Sequence, residues 1–291
     1  MAKVREGRGA AGRPPRPTIT LSDLEALYEA LNRRDYIHPD PLEFVYRFED
    51  SGDREVVGLV AAALSFGRVA SIAASVEKVL ALLGPRPSSY VRSASDRDVR
   101  SACAGFRHRW TTGEELAALL VGVGRAIERH GSLERCLANG LRGDDPSILG
   151  ALDLFVAEIT GDGPRTSLLA CPERGSACKR MNLFLRWMAR RDRVDPGPWT
   201  SVPASKLVVP LDTHMHRISL AWGLTRRATP NLATALEITE SFKRFAPDDP
   251  VRYDFAITRL GMRSDLGGLS LPPAAVSVMK AATGGRKGKT R

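Results

Sequence analysis

Gly175-Ser176-Ala177-Cys178-Lys179-Arg180 and, further on, Leu207-Val208-Val209-Pro210-Leu211-Asp212-Thr213-His214 are the segments around which the chain of 291 residues is organised. The first sets a lysine behind a turn of small residues, and the second ends an apolar run on an aspartate. Gly175, Ser176 and Ala177 let backbone approach a phosphate closely, and the helix start that follows offers free N–H groups. Lys179 falls in that first turn. A lysine amine of ordinary pKa, ~10.4, is protonated at neutral pH and attacks nothing until burial or a neighbour frees it. A carboxylate such as Asp212 is a suitable neighbour. From Arg180 onward Met181, Phe184, Leu185 and Met188 recur at helical spacing, which puts Arg186, Arg190 and Arg191 on a basic outer side. Asp212 is equally suited to plain N-capping of a helix through Met215, Ile218, Ser219 and Trp222, with Gly223 at its end.

Most of the remaining chain reads as helix. Leu21, Leu24, Leu27, Tyr28 and Leu31 form one stripe, and Pro39-Asp40-Pro41 opens a second helix through Phe48. Glu55 to Phe66 is apolar almost all round, which predicts a buried central helix. Ser65-Phe66-Gly67-Arg68 separates it from another helix, Ile72 to Leu83. Cys103 to Trp110 gathers Phe106, Arg107, His108, Arg109 and Trp110, a mixture that suits a nucleic-acid groove or base pocket as well as an ordered loop with core rings. Around Gly122-Val123-Gly124 the spacing of Leu116, Leu119, Leu120, Val123 and Ile127 runs on unbroken, so these glycines are expected at a helix–helix crossing. Helices over Pro146–Ile159, Leu232–Phe245 and Val251–Leu260 complete an all-α expectation.

A hydrophobic fraction of 43% can supply a sizeable core, and a formal net charge of +10 points to a polyanionic partner, although a ribosomal or membrane-surface protein carries similar charge. The four cysteines are scattered, and no apolar run resembles a signal peptide or membrane span, so reduced thiols and a cytoplasmic, nucleoid-associated location are expected. Residues 1–17 and 272–291 have the composition of disordered basic tails. His214 and His216 point apart on a helix, with no carboxylate or cysteine cluster to complete a metal site.

The two opening segments resemble the signature of the helix-hairpin-helix DNA glycosylase superfamily. Gly175, Lys179 and Asn182 match its hairpin and following helix; Asp212, Thr213, His214 and Arg217 match its second motif. Ala177 replaces the second hairpin glycine. The long connection from Lys179 to Asp212 resembles the archaeal 8-oxoguanine glycosylase branch more than endonuclease III, and no cysteine follows Cys178 where the endonuclease III cluster lies. The whole chain also looks like an uncharacterised bacterial family of the domain-of-unknown-function type within that superfamily.

The resemblance implies a two-lobed all-α fold without an iron–sulfur cluster, metal or other cofactor. One lobe would comprise residues 18–67 with 206–271, the other residues 68–205. It further implies a monomeric, bifunctional DNA glycosylase and abasic-site lyase in base-excision repair. Its partner would be double-stranded DNA containing a damaged base, 8-oxoguanine foremost, or an abasic site. Lys179 would form a Schiff base assisted by Asp212, with His214 and Asn182 in support. Gly175, Ser176, Ala177, Arg180, Arg217 and Arg68 would contact DNA, and Phe66, Trp110, Phe184, Trp187 and Trp222 are candidates for the base pocket. The rival readings are an oxidised-pyrimidine glycosylase, a non-catalytic binder of distorted DNA, and a basic scaffold or RNA-binding protein.

Overall fold

A computed structural model describes residues 18–161, 166–263 and 265–284. Its elements are α1 Leu21–Leu31, α2 Ser51–Ala63, α3 Val69–Leu83, α4 Pro87–Ser93, α5 Asp96–Cys103, β1 Arg107–His108, β2 Thr111–Thr112, α6 Gly113–His130, α7 Leu133–Ala138, α8 Leu149–Thr160, α9 Lys179–Ala189, α10 Thr213–Ala221, α11 Leu232–Lys243, α12 Asp254–Met262 and α13 Pro273–Gly284. The protein is therefore all-α apart from the two-residue strands, which pair antiparallel as Arg107 with Thr112 and His108 with Thr111.

Helix α2 is the axis of the core. Every residue from Val56 to Leu64 is buried, as its nearly uniform apolar composition demands. It packs on α9, on α4 and on the 3-10 turn Pro41–Arg47. Its approach to α9 is close because Gly58 has no side chain: a Cβ there would lie 2.8 Å from Cε of Met188. Helix α10 packs on α12, which packs on α1 and α13.

Several details differ from the sequence reading. The segment after Pro41 tightens into a 3-10 turn instead of an α-helix, and Leu21 heads α1 exposed while Leu24, Leu27, Tyr28 and Leu31 are buried. The chain after residue 272 is not a bare tail, since Pro273–Gly284 is helical. Proline suits its first position, Ala275 and Val278 are buried against the core, and Nε1 of Trp222 donates to the Ala274 carbonyl at 3.3 Å. Residues 1–17 and 285–291, the rest of the expected tails, lie outside the described residues.

The glycines of α6 sit where the periodicity put them. A Cβ at Gly122 would lie 1.9 Å from the Ile159 carbonyl oxygen, and one at Gly124 2.1 Å from that of Val91, so α8 and the end of α4 rest directly on α6. The obstructing atoms are backbone and cannot rotate away. Gly122→Ala and Gly124→Ala are each expected to destabilise the protein by about 2 kcal/mol in urea unfolding. Gly150→Ala, on α8 with no atom within 4 Å, should instead be neutral or slightly stabilising.

Candidate active site

Lys179 is delivered by a hairpin built from local backbone bonds. The 3-10 turn Pro172–Arg174 ends on Gly175, whose φ of +72° a glycine adopts without steric cost. Its carbonyl accepts from the Leu232 amide at 3.2 Å, anchoring the turn to the start of α11. Ser176 accepts the Cys178 amide on Oγ at 3.2 Å, and Cys178, buried with φ +46°, turns the chain into α9. Buried Asn182 donates Nδ2 to the Ala177 carbonyl at 3.1 Å, a bond that holds the hairpin against its own helix. Lys179 is then the first residue of α9.

Asp212 arrives from the other direction. Leu207 to Leu211 are all buried, and the Val209 amide bonds Oγ1 of Thr239 at 3.1 Å, so the extended run is fixed up to the residue before the aspartate. Asp212 caps α10, accepting the Met215 amide on Oδ1 at 2.8 Å. That leaves Oδ2, which stands 3.7 Å from Nζ of Lys179. The capping and the lysine-neighbour readings of Asp212 are both realised, one on each oxygen. The side chains are 35% and 10% exposed, so the amine is reachable while the carboxylate is nearly covered.

Lys179 borders two cavities and Asp212 the first of them. One, about 420 Å³, is bordered by Phe66, Lys179, Asp212, His214, Arg186 and Asp254 among others; the second, about 440 Å³, runs along Gly175 to Arg180. His214 packs against α12, where a Cβ at Gly261 would lie 2.4 Å from its Nδ1, so this glycine makes room for the ring.

Other expected site residues are not all brought to this place. Phe184, Trp187 and Trp222 are at most 2% exposed and belong to the core; the 3.6-residue spacing of α9 faces its rings inward, Phe184 lying 6.2 Å from Phe155 and 5.3 Å from Trp199. They border neither cavity. Trp110 lies outside the 420 Å³ cavity, which Phe66 borders. Arg180 does not reach outward for phosphate: its guanidinium donates to the carbonyls of Ala63 and Ser167, 2.5 Å each, and fastens the end of α2. Arg68 and Arg217 are exposed, and Arg68 makes no side-chain cap for α3.

Sequence reasoning missed the buried ionic network that forms the floor of the cavity through Arg186, Asp254, Arg259 and Asp40 and continues behind it. Arg186 and Arg190 are not on a basic outer side but are 2% and 3% exposed. Arg186 bonds Asp254 and, at 3.2 Å, Asp195; Arg190 bonds Asp192 at 2.7 Å, Asp195 at 2.6 Å and Asp249 at 2.7 Å; Arg259 bonds Asp40 at 2.7 Å. Burial pushes the Asp254 carboxyl up to about 6, more than neighbouring Arg186 brings it down, and the charge of Asp212 adds to the rise. For Asp192 the balance is reversed: burial raises it, but Arg190 and the amides of Asp195 and Val194 hold it at about 2. The alternation Arg190-Arg191-Asp192-Arg193-Val194-Asp195 was the available signal, because charges of both signs so close in sequence can neutralise one another inside a fold.

Among the described residues no group of three or more His, Cys, Asp or Glu is placed to hold a metal ion, and no helix is long and apolar enough to cross a membrane. The four cysteines are unbridged, and burial raises the thiols of Cys103, Cys136 and Cys178 to about 11, 12 and 11.

The chain is thus an all-α protein with a lysine–aspartate pair at the facing starts of two helices. It belongs to the family described as Protein of unknown function (DUF2400), whose model matches residues 40–263 and so takes in the hairpin, the pair and the ionic floor. Searches of curated proteins and of solved structures gave no match.

Proposed function

We propose that the protein is a bifunctional DNA glycosylase and abasic-site lyase of the two-lobed helix-hairpin-helix type. The observation that carries this reading is the approach of Lys179 Nζ to Asp212 Oδ2, 3.7 Å, beside a cavity of about 420 Å³. Two residues far apart in sequence, each opening a different helix, meet there with one carboxylate oxygen left over from capping. In the proposed reaction a damaged nucleotide leaves the duplex at a cost of roughly a few kcal/mol and its sugar enters beside the pair. Asp212 takes a proton from the Lys179 ammonium. The freed amine attacks C1′, the C1′–N glycosidic bond breaks, and the base leaves with the bonding electrons and is protonated. Ring opening of the sugar gives the imine; loss of a C2′ proton then expels the 3′ phosphate.

The hairpin from Gly175 to Ala177, with the positive end of α9 behind it, is suited to a backbone phosphate. The preference for 8-oxoguanine rests on the long Lys179-to-Asp212 connection and the lack of cluster cysteines after Cys178, since no indole borders the cavity. The test is borohydride trapping on an 8-oxoguanine duplex, an abasic duplex and an undamaged one. A covalent adduct on damaged DNA that disappears in Lys179→Ala is expected. An adduct on the abasic duplex alone would keep the lysine chemistry and discard the base. Absence of any adduct would overturn the enzyme reading in favour of a non-catalytic DNA binder.

A further inference from the structure

The ribbon of β1 and β2 carries Trp110 at its turn, 58% exposed, whereas Trp187, Trp199 and Trp222 are at most 3% exposed. An indole left in water forfeits the burial that usually justifies it, so a fixed, exposed one is a candidate contact. Trp110 is fixed. It stacks on Phe66, with centroids 4.9 Å apart and planes 27° apart. Phe66 is itself held by the edge of His108 at 4.6 Å and by the Arg180 guanidinium at 4.9 Å. His108, 2% exposed, ties the ribbon to the loop between α2 and α3: its Nε2 meets the Phe66 carbonyl at 2.9 Å and its Nδ1 the Ser75 hydroxyl at 2.8 Å.

The turn is also held closed by its backbone. Arg109 adopts φ +56°, costly for an L-residue, and Gly67 gives it room, because a Cβ there would lie 2.9 Å from Cδ of Arg109. The Arg109 guanidinium then sits 4.8 Å from the Trp110 ring. Arg68, Arg107 and Arg109 are all exposed, and none makes an ion pair among the described residues. Cations without carboxylate partners beside a rigid aromatic face match phosphates flanking a flat base. Stacking needs no particular base, because every base has a π-face. Phe66 joins this platform to the cavity that holds Lys179.

We propose that the Arg109–Trp110 turn is a stacking platform for an unpaired nucleobase of duplex DNA, with Arg68, Arg107 and Arg109 on the flanking phosphates. The choice of DNA rests on the glycosylase reading; the platform itself rests on the ribbon. It makes Trp110 a contact for the base that the lesion leaves without a partner, outside the pocket of the damaged one.

Since the other three tryptophans are buried, iodide quenching of the full-length protein reports on Trp110. The probes are a duplex carrying a tetrahydrofuran abasic analogue and the same duplex intact, at one fixed salt concentration. The abasic duplex is expected to shield Trp110 from iodide well beyond the intact one. Trp110→Ala should weaken its binding about five- to hundredfold, and Trp110→Phe should restore most of that loss. Equal shielding by both duplexes, or unchanged affinity in Trp110→Ala, overturns the platform. Borohydride trapping on the same duplex with a natural abasic site in place of the tetrahydrofuran, which has no C1′ aldehyde to form an imine, separates the two readings at saturating DNA. A Lys179 adduct with Trp110 still open to iodide removes the platform and leaves the enzyme. Lesion-specific shielding of Trp110 with no adduct leaves the platform and removes the enzyme.

Discussion

Asp212→Asn should keep the fold and lower the rate of adduct formation at Lys179 by two to four orders of magnitude, about what a positioned proton acceptor contributes. The two oxygens of Asp212 make this substitution informative. Oδ1 accepts the Met215 amide at 2.8 Å, a bond an asparagine carbonyl can reproduce, so the cap of α10 survives. Oδ2, 3.7 Å from Nζ of Lys179, becomes an amide nitrogen, which takes no proton and sets a donor against an ammonium. Asp212→Ala removes both functions and should in addition cost about 1 kcal/mol of stability for the missing cap. Single-turnover trapping and thermal unfolding, run on both variants, separate the roles. A wild-type trapping rate in Asp212→Asn would reduce Asp212 to a helix cap.

The same residue shows how far the sequence could be read. An aspartate before Thr213 and ahead of a helical stripe announces a cap by spacing alone, and the Gly175–Lys179 turn announces a helix start. Neither pattern says that the two helix starts face each other, because that depends on α10 packing on α12 and α9 on α2. The glycines of α6 were legible for a local reason: unbroken periodicity through Gly122 and Gly124 leaves close packing as their purpose. Misreadings arose where polarity was taken for exposure. Arg186 and Arg190 resemble a solvated helix side until Asp195 and Asp254 are folded against them, and these come from a loop and from another helix. Trp187 and Trp222 erred in the opposite sense, as aromatic residues near a proposed site that the helical repeat turns into the core.

The largest stability effect is expected at Arg186. It is 2% exposed and bonds Asp254 and Asp195, themselves 2% and 0% exposed, so Arg186→Ala strands the buried Asp254 carboxylate and leaves Asp195 with Arg190 alone. Removing one partner of a buried pair costs about 3–5 kcal/mol, and denaturant unfolding at pH 7 should show a loss of that size. The surrounding charge makes the loss pH-dependent. Three buried arginines, Arg186, Arg190 and Arg259, face five aspartates, Asp40, Asp192, Asp195, Asp249 and Asp254, so negative charge is in excess on the floor. Asp254 answers by holding its proton up to about pH 6, chiefly because it is buried. A carboxyl raised in the folded state favours folding fully below its unfolded value, near 4. That advantage is lost as pH rises through 6. Asp192, lowered to about 2, works the other way, favouring folding above 4 and losing that as pH falls through 2. Comparing wild type with Asp254→Asn cancels the Asp192 contribution. The variant, whose carbonyl oxygen can still accept from Arg186, should gain on the wild type by about 2 kcal/mol between pH 4 and pH 7. A difference that stays flat over that range would mean that Asp254 is ionised throughout, with Arg186 outweighing its burial.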